Sequence, residues 1–207
     1  MGGPALGDWI AGLSATPLQG HAHLAPWEVT TAANGIVAAL LAPLGAAYSV
    51  AEGIALHESA TVEPGAVIKG PAIIGPACFI AAGAYLRGGV WLGEGVIIGP
   101  GAELKTAFVF AGTKLAHLNF VGDSVLGAGV NLEAGSVIAN YRNELADKRI
   151  RIAHDGELVD TGVEKFGALL GDGCRIGANA VIAPGSLLAP GTLVPRLGLV
   201  DQGPATQ

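Results

Sequence analysis

The stretch VEPGAVIKGPAIIGPACFIAAGAYLRGGVWLGEGVIIGPGAELKTAFVF, Val62 to Phe110, returns an aliphatic or aromatic residue at every sixth position. The series is Val62, Ile68, Ile74, Ile80, Leu86, Leu92, Ile98, Leu104 and Phe110. It resumes at Leu126, Leu132 and Ile138, and again at Leu170, Ile176, Ile182, Leu188 and Val194. Four places after most of these stands a small or slim residue, among them Ala66, Ala72, Cys78, Ala84, Ala102, Ser136, Cys174 and Ala180. A period of six is neither the 3.6 of a helix nor the 2 of a single strand. It fits a coil of three short, flat strands, each hexad supplying one side, with the large residue inward and the small one filling the corner. Glycines such as Gly83, Gly95 and Gly101 suit the turns between sides.

Working outward, the pattern is that of hexapeptide repeats and predicts an all-β solenoid, a left-handed parallel β-helix whose stacked coils bury one another's apolar faces. Residues 1–55 lack the repeat. Ala25-Pro26-Trp27-Glu28 reads as a helix start with Pro in the first turn. Trp27, Ile36, Val37, Leu40 and Leu41 then form an apolar stripe ended by Pro43 and Gly45. The expectation is a helical N-terminal cap that covers the open first coil, because a bare solenoid end exposes strand edges. The β-helix itself is expected over 56–200, followed by a tail at 201–207.

Two breaks interrupt the repeat. Phe110 and Leu126 are 16 apart, which predicts an irregular loop in AGTKLAHLNFVGDSV. Between Ile138 and Leu170 the chain has no hexad phase, and an insertion at about 142–166 is expected. In it, RIRIAHDGELVD alternates around Asp155-Gly156 as a β-hairpin does. Excursions from a rigid repeat are where binding and catalytic residues tend to sit.

Composition limits the alternatives. The 33 glycines and 51% hydrophobic content would suit a membrane protein or a solenoid, and their even spacing favours the solenoid. The longest apolar run, Ile36 to Val50, is interrupted by Pro43 and Gly45 and falls short of the roughly 20 residues that span a bilayer. No basic region precedes an apolar core at the N-terminus, so neither a signal peptide nor a membrane partner is expected, and the protein reads as cytoplasmic. A net charge of −6 argues against nucleic acid as a bulk partner. Five of the eleven Lys and Arg fall between Arg142 and Lys165, but six acids share that segment. Cys78 and Cys174 occupy small inward places, so buried packing without a disulfide is the expectation.

The run GAELKTAFVFAGTKLAHLNFVGDSVLGAGVNLEAGSVIANYRN resembles the acetyltransferase domain of the bifunctional enzymes that make UDP-N-acetylglucosamine. It is similar also to the acetyltransferase half of fused sugar-1-phosphate nucleotidyltransferases. The shared residues are Lys105, Lys114, Ala116-His117-Leu118, Val121-Gly122-Asp123, Gly129-Val130-Asn131, Ala134-Gly135 and Asn140-Tyr141. After the insertion the likeness continues at Lys165-Phe166-Gly167 and Leu170-Gly171-Asp172, and it covers roughly residues 60–200.

From the residues alone, His117 is the best candidate base, because acetyl transfer to an amine needs a proton acceptor and an imidazole titrates in the right range. A lone histidine is more often structural, and the matching loop is what favours catalysis. The resemblance implies that Arg87, Lys105 and Lys165 hold the phosphate of an amino-sugar 1-phosphate. Arg87 and Lys105 are three hexads apart and should stack in adjacent coils; the alternative is that they are solvated charges. Asn131, Asn140 and Tyr141 match residues that orient the sugar and the acetyl group. For Asn131, read as a corner residue, a structural asparagine ladder is the alternative. Backbone amides around Ala134 and from Ala178 onward would bind the pantetheine arm of acetyl-CoA between subunits of a homotrimer. Phe120 departs from the pattern, standing where those enzymes carry a tyrosine. No glycine-rich nucleotide loop precedes residue 60, which points to a separate nucleotidyltransferase. No metal is expected: a zinc carbonic anhydrase of this fold needs three converging histidines, and His21, His23, His57 and His154 match nothing in the pattern. The function expected is N-acetylation of an amino-sugar phosphate; a non-catalytic scaffold or sugar-phosphate-binding module is the rival.

Overall fold

The computed structural model describes residues 3–203; residues 1–2 and residues 204–207 of the expected tail lie outside them. The chain is a parallel β-helix with three flat sides. The first side stacks Thr61–Val62, Phe79–Ile80, Ile97–Ile98, Lys114–Leu115, Asn131–Leu132, Arg175–Ile176 and Leu193–Val194, all parallel. The second stacks Val67–Ile68, then Tyr85–Leu86, Glu103–Leu104, Phe120–Val121, Val137–Ile138, Val181–Ile182 and Leu199–Val200. The third runs through Ala72–Ile74, Val90–Leu92, Ala107–Val109, Ser124–Leu126, Ala168–Leu170 and Ser186–Leu188. Large residues at the inward place of each side are fully buried, as Ile74, Ile80, Leu86, Leu92, Ile98 and Leu104 are at 0%.

The first break is not an irregular loop. Ile98 pairs with Leu115 and Leu115 with Leu132, so the coil continues in register. What changes is one corner. Between the second and third sides the chain spends two residues, Gly88-Gly89, in one coil and a single residue, Thr106 and then Asp123, in the next two. Thr106 and Asp123 make the tighter corner at φ 57° and 43°. The inward series therefore passes through Val109, not Phe110, which turns outward and stacks edge-on against Trp91 at 5.2 Å. At this same corner the insertion leaves after Asn140 and returns at Phe166-Gly167. It contains the expected hairpin, Arg151–His154 paired with Glu157–Asp160 around Asp155-Gly156, both at positive φ.

The N-terminal segment is helical, but it does not close the end of the solenoid. Helix α1, Pro26–Thr31, opens with the Glu28 carboxylate accepting from the Ala25 N–H at 2.8 Å, and α2 follows at Ala33–Leu41. Both lie along the third side, together with the 3₁₀ turns between Leu6 and His21. The reason is a row of outward residues in register up that side: Ala55, Ile73, Trp91, Phe108, Val125, Leu169 and Leu187. Exposed, that row would be a long apolar strip; under Leu6, Ile10, Trp27, Val29, Ile36 and Val37 it becomes a second core. Asp172 pins the wrap, accepting from the Ala11 N–H at 2.9 Å while its own N–H donates to the Trp9 carbonyl. The first coil is flanked instead by an antiparallel strand, Tyr48–Ala51, paired with Ile54–His57.

Cys78 and Cys174 are buried, free thiols. Burial pushes Cys78 up to about 11 and raises Cys174 as well. Among the described residues no helix is long and apolar enough to cross a membrane, and no three His, Cys, Asp or Glu side chains are placed to hold a metal ion.

Candidate functional site

The corner that tightens at Thr106 and Asp123 also gathers most of the residues singled out in the sequence. Arg87 pairs in register with Lys105, and Lys105 with Gly122, so the two cations stack one coil apart. They line a depression of about 530 Å³ with Phe120, Asn140, Tyr141, Glu164 and Lys165. The strands carry Arg87, Lys105 and Phe120; the departing insertion carries Asn140 and Tyr141; the returning insertion carries Lys165.

Arg87 and Lys105 are already matched by carboxylates of the protein. Arg87 donates to Glu103 through Nη2 at 2.7 Å and Nε at 3.0 Å. Lys105 Nζ donates to both Asp123 oxygens, at 2.7 and 2.9 Å, with the two side chains only 21% and 10% exposed. The Asn140 amide N–H₂ also donates to Asp123. Asp123 is therefore the junction that holds one cation and one amide in place. It was quoted in the sequence motif but given no role. Two cations stacked one coil apart repel each other, and here carboxylates of the protein itself relieve that repulsion. Lys165 is exposed at the rim.

His117 is elsewhere. It sits exposed on the corner between the first and second sides and is not among the residues lining the depression. The turn that carries it is rigid: Leu118 takes φ 53°, and buried Asn119 donates through Nδ2 to the Glu133 carbonyl at 2.7 Å and to Ser136 Oγ at 2.9 Å. The backbone ladder up this corner links Pro100, His117, Ala134 and Ala178, each carbonyl accepting from the residue that follows the next corner. Ala134 and Ala178 thus stack with His117, one coil apart. The Ala178 N–H is engaged by Glu133 Oε2 at 2.9 Å, and Arg196 bonds the same carboxylate. The Arg196 guanidinium and that N–H hold the Glu133 carboxyl below its usual range. Asn131 is not a corner residue; it opens a strand of the first side, exposed, in register with Lys114 and Arg175. It lines a different, polar hollow with Glu133, Arg175 and Arg196.

Apart from Asn131, the site residues thus fall into two groups, a charged depression at one edge of the second side and the His117–Ala134–Ala178 corner at the other. Residues 71–106 match the family description "Bacterial transferase hexapeptide (six repeats)", and residues 159–185 match "Hexapeptide repeat of succinyl-transferase". Both stretches carry hexapeptide repeats. It resembles the acetyltransferase regions of bifunctional sugar-nucleotide enzymes. The "Bifunctional protein GlmU" of Methanococcus maripaludis is 35% identical over 181 residues, 86% of this chain and 43% of that one. The "Bifunctional sugar-1-phosphate nucleotidylyltransferase/acetyltransferase" of Sulfurisphaera tokodaii is 39% identical over 83 residues, 40% of this chain and 20% of that one. The chain thus spans less than half the length of these relatives. Among solved structures, a hexapeptide transferase family protein from Anaplasma phagocytophilum aligns with 18% identity and a TM-score of 0.38, covering 74% of this chain and 78% of that one.

Proposed function

We propose that this protein is an acetyl-CoA-dependent N-acetyltransferase acting on the amine of an amino-sugar phosphate such as glucosamine 1-phosphate. The observation that carries the reading is the depression itself: Arg87, Lys105, Phe120, Asn140, Tyr141 and Lys165, drawn from five separate passages of the chain, line one hollow. The likeness to sugar-1-phosphate enzymes, by the names those relatives bear, supports the same substrate class. In this reading Arg87, Lys105 and Lys165 face the phosphate, and Asn140, held by Asp123, orients sugar and acetyl. The amine nitrogen attacks the thioester carbonyl; the C–N bond forms, the C–S bond breaks, His117 takes the amine proton and the thiolate of CoA leaves.

A homotrimer completes the arrangement. Leu118 and Leu197 project from the His117 corner at 71% and 79% exposure, and Val67, Val181 and Leu199 stand exposed along the second side. A threefold assembly would cover these residues and close the second side into a cleft shared by the corner and the depression. A second reading, a binding module without catalysis, draws on the internal neutralisation of both cations by Glu103 and Asp123 and on the missing hydroxyl at Phe120.

The test is thiol release from acetyl-CoA across a panel of amino-sugar phosphates. The expected outcome is turnover that falls roughly 10²–10⁴-fold in His117→Ala with the melting temperature unchanged. A parent inert with every acceptor that still binds sugar phosphates favours the module. A fully active His117→Ala removes the mechanism and keeps the enzyme.

A further inference from the structure

A second hollow, of about 410 Å³, adjoins the charged depression and shares Glu164 and Lys165 with it. Its far wall is Thr31 and Asn34 from the N-terminal helices, and its floor is Thr106 and Asp123 at the tightened corner. The contact that brings this wall so near is made by Gly89, at φ 87°: a Cβ there would stand 2.9 Å from the backbone of Ala33 and Asn34. Two glycines directly after Arg87 thus let the start of α2 rest on the solenoid two residues from a cation of the site.

Thr31 and Asn34 are exposed and, among the described residues, their side chains make no hydrogen bond. Neither residue belongs to the apolar core that holds the wrap down. The hollow offers hydroxyl and amide groups, which donate and accept, beside a depression that offers cations. We infer that the N-terminal helices form a second wall of the site, on which Thr31 and Asn34 read the hydroxyl groups of a phosphorylated sugar whose phosphate lies toward Arg87, Lys105 and Lys165.

This rests on the sugar-phosphate reading above, and the experiment separates the two. Calorimetry compares glucosamine 1-phosphate with inorganic phosphate on the full chain. The doubly substituted Thr31→Val, Asn34→Ala protein should bind glucosamine 1-phosphate roughly tenfold more weakly and inorganic phosphate as the parent does. Lys165→Ala, the loss of an exposed cation, should weaken both ligands. If the double variant keeps the parent's affinity for glucosamine 1-phosphate while Lys165→Ala loses it, the wall does not read the sugar and the phosphate site stands. Equal weakening of both ligands by the double variant also overturns the wall, since the change then acts on the depression as a whole. If the parent binds neither ligand, the sugar-phosphate reading falls and this inference with it.

Discussion

Asp123 shows how much one carboxylate can organise. It turns the corner at φ 43°, neutralises Lys105 and orients Asn140. Asn tolerates positive φ, so Asp123→Asn keeps the corner and removes only the charge. That leaves the Lys105 ammonium, 21% exposed, without its counter-ion. The expected cost is about 2 kcal/mol in urea unfolding, less than for a fully buried pair because water still reaches the lysine. Unchanged stability would mean that the pair adds nothing. The stacking of Arg87 on Lys105 was legible from spacing alone, since it needs only the repeat. Their carboxylate partners were not: Glu103 meets Arg87 diagonally across the pair Tyr85–Glu103, and Asp123 meets Lys105 only at the tightened corner. The extra signal was the motif Val121-Gly122-Asp123, whose acid sits where a turn is needed.

The inserted hairpin is tied down at its root. Arg142, only 7% exposed in its side chain, donates to Asp201 at 2.6 and 2.9 Å and to the Pro184 carbonyl at 2.9 Å. Bonding to Arg142 holds the Asp201 carboxyl below its ordinary value. A carboxyl depressed in the folded state contributes stability above its unfolded pKa, near 3.9, and loses it as pH falls through the folded value. Asp201→Asn should therefore lower stability by about 1 kcal/mol at pH 7, a figure discounted for the half-exposed carboxylate, and the difference from the parent should vanish well below pH 4. Melting curves from pH 7 to pH 2.5 check this; a difference that persists in acid would assign the effect to something other than charge. At this scale the hairpin and the start of α1 were readable from local chemistry. The corner was not: Val109 and Phe110 are both apolar, and pattern alone does not say which faces in. The wrap was misjudged for a related reason. The outward places of the third side hold Ile73, Trp91, Phe108, Val125, Leu169 and Leu187. That row is visible in the sequence once register is known, and it marks a covered side rather than an open end.

The whole molecule has three sides of different character. One is sealed under helices, one carries polar and charged outward residues such as Lys114, Asn131 and Arg175, and one bears exposed aliphatics beside the charged depression. Leu197 at 79% exposure and Leu199 at 72% stand two residues apart at this last side. If that side packs about a threefold axis, sedimentation should give a species near three times the 20.6 kDa chain. The paired change Leu197→Glu and Leu199→Glu should then yield a folded monomer with acetyl transfer lost, because the cleft no longer closes. A parent that sediments as one chain would refute the assembly.

The wrap also sets an order of events during synthesis. Trp27 packs edge-on against Phe166 at 6.0 Å, and Ala11 is bonded to Asp172, so the first part of the chain to be made completes its packing only when some of the last is in place. At roughly 5–20 residues per second, that interval is on the order of ten seconds. Through it, Trp27 lacks Phe166 and the turns around Ile10 lack Asp172, although Val37 and the rest of α2 can settle on the earlier strands of the third side. The coils can zip up from neighbour to neighbour as they emerge, each on the one before. The wrap cannot be completed that way. A ribosome halted before Phe166 would hold a growing solenoid on which the N-terminal wrap is only partly seated, and it is this nascent chain, rather than the mature protein, that a chaperone would meet.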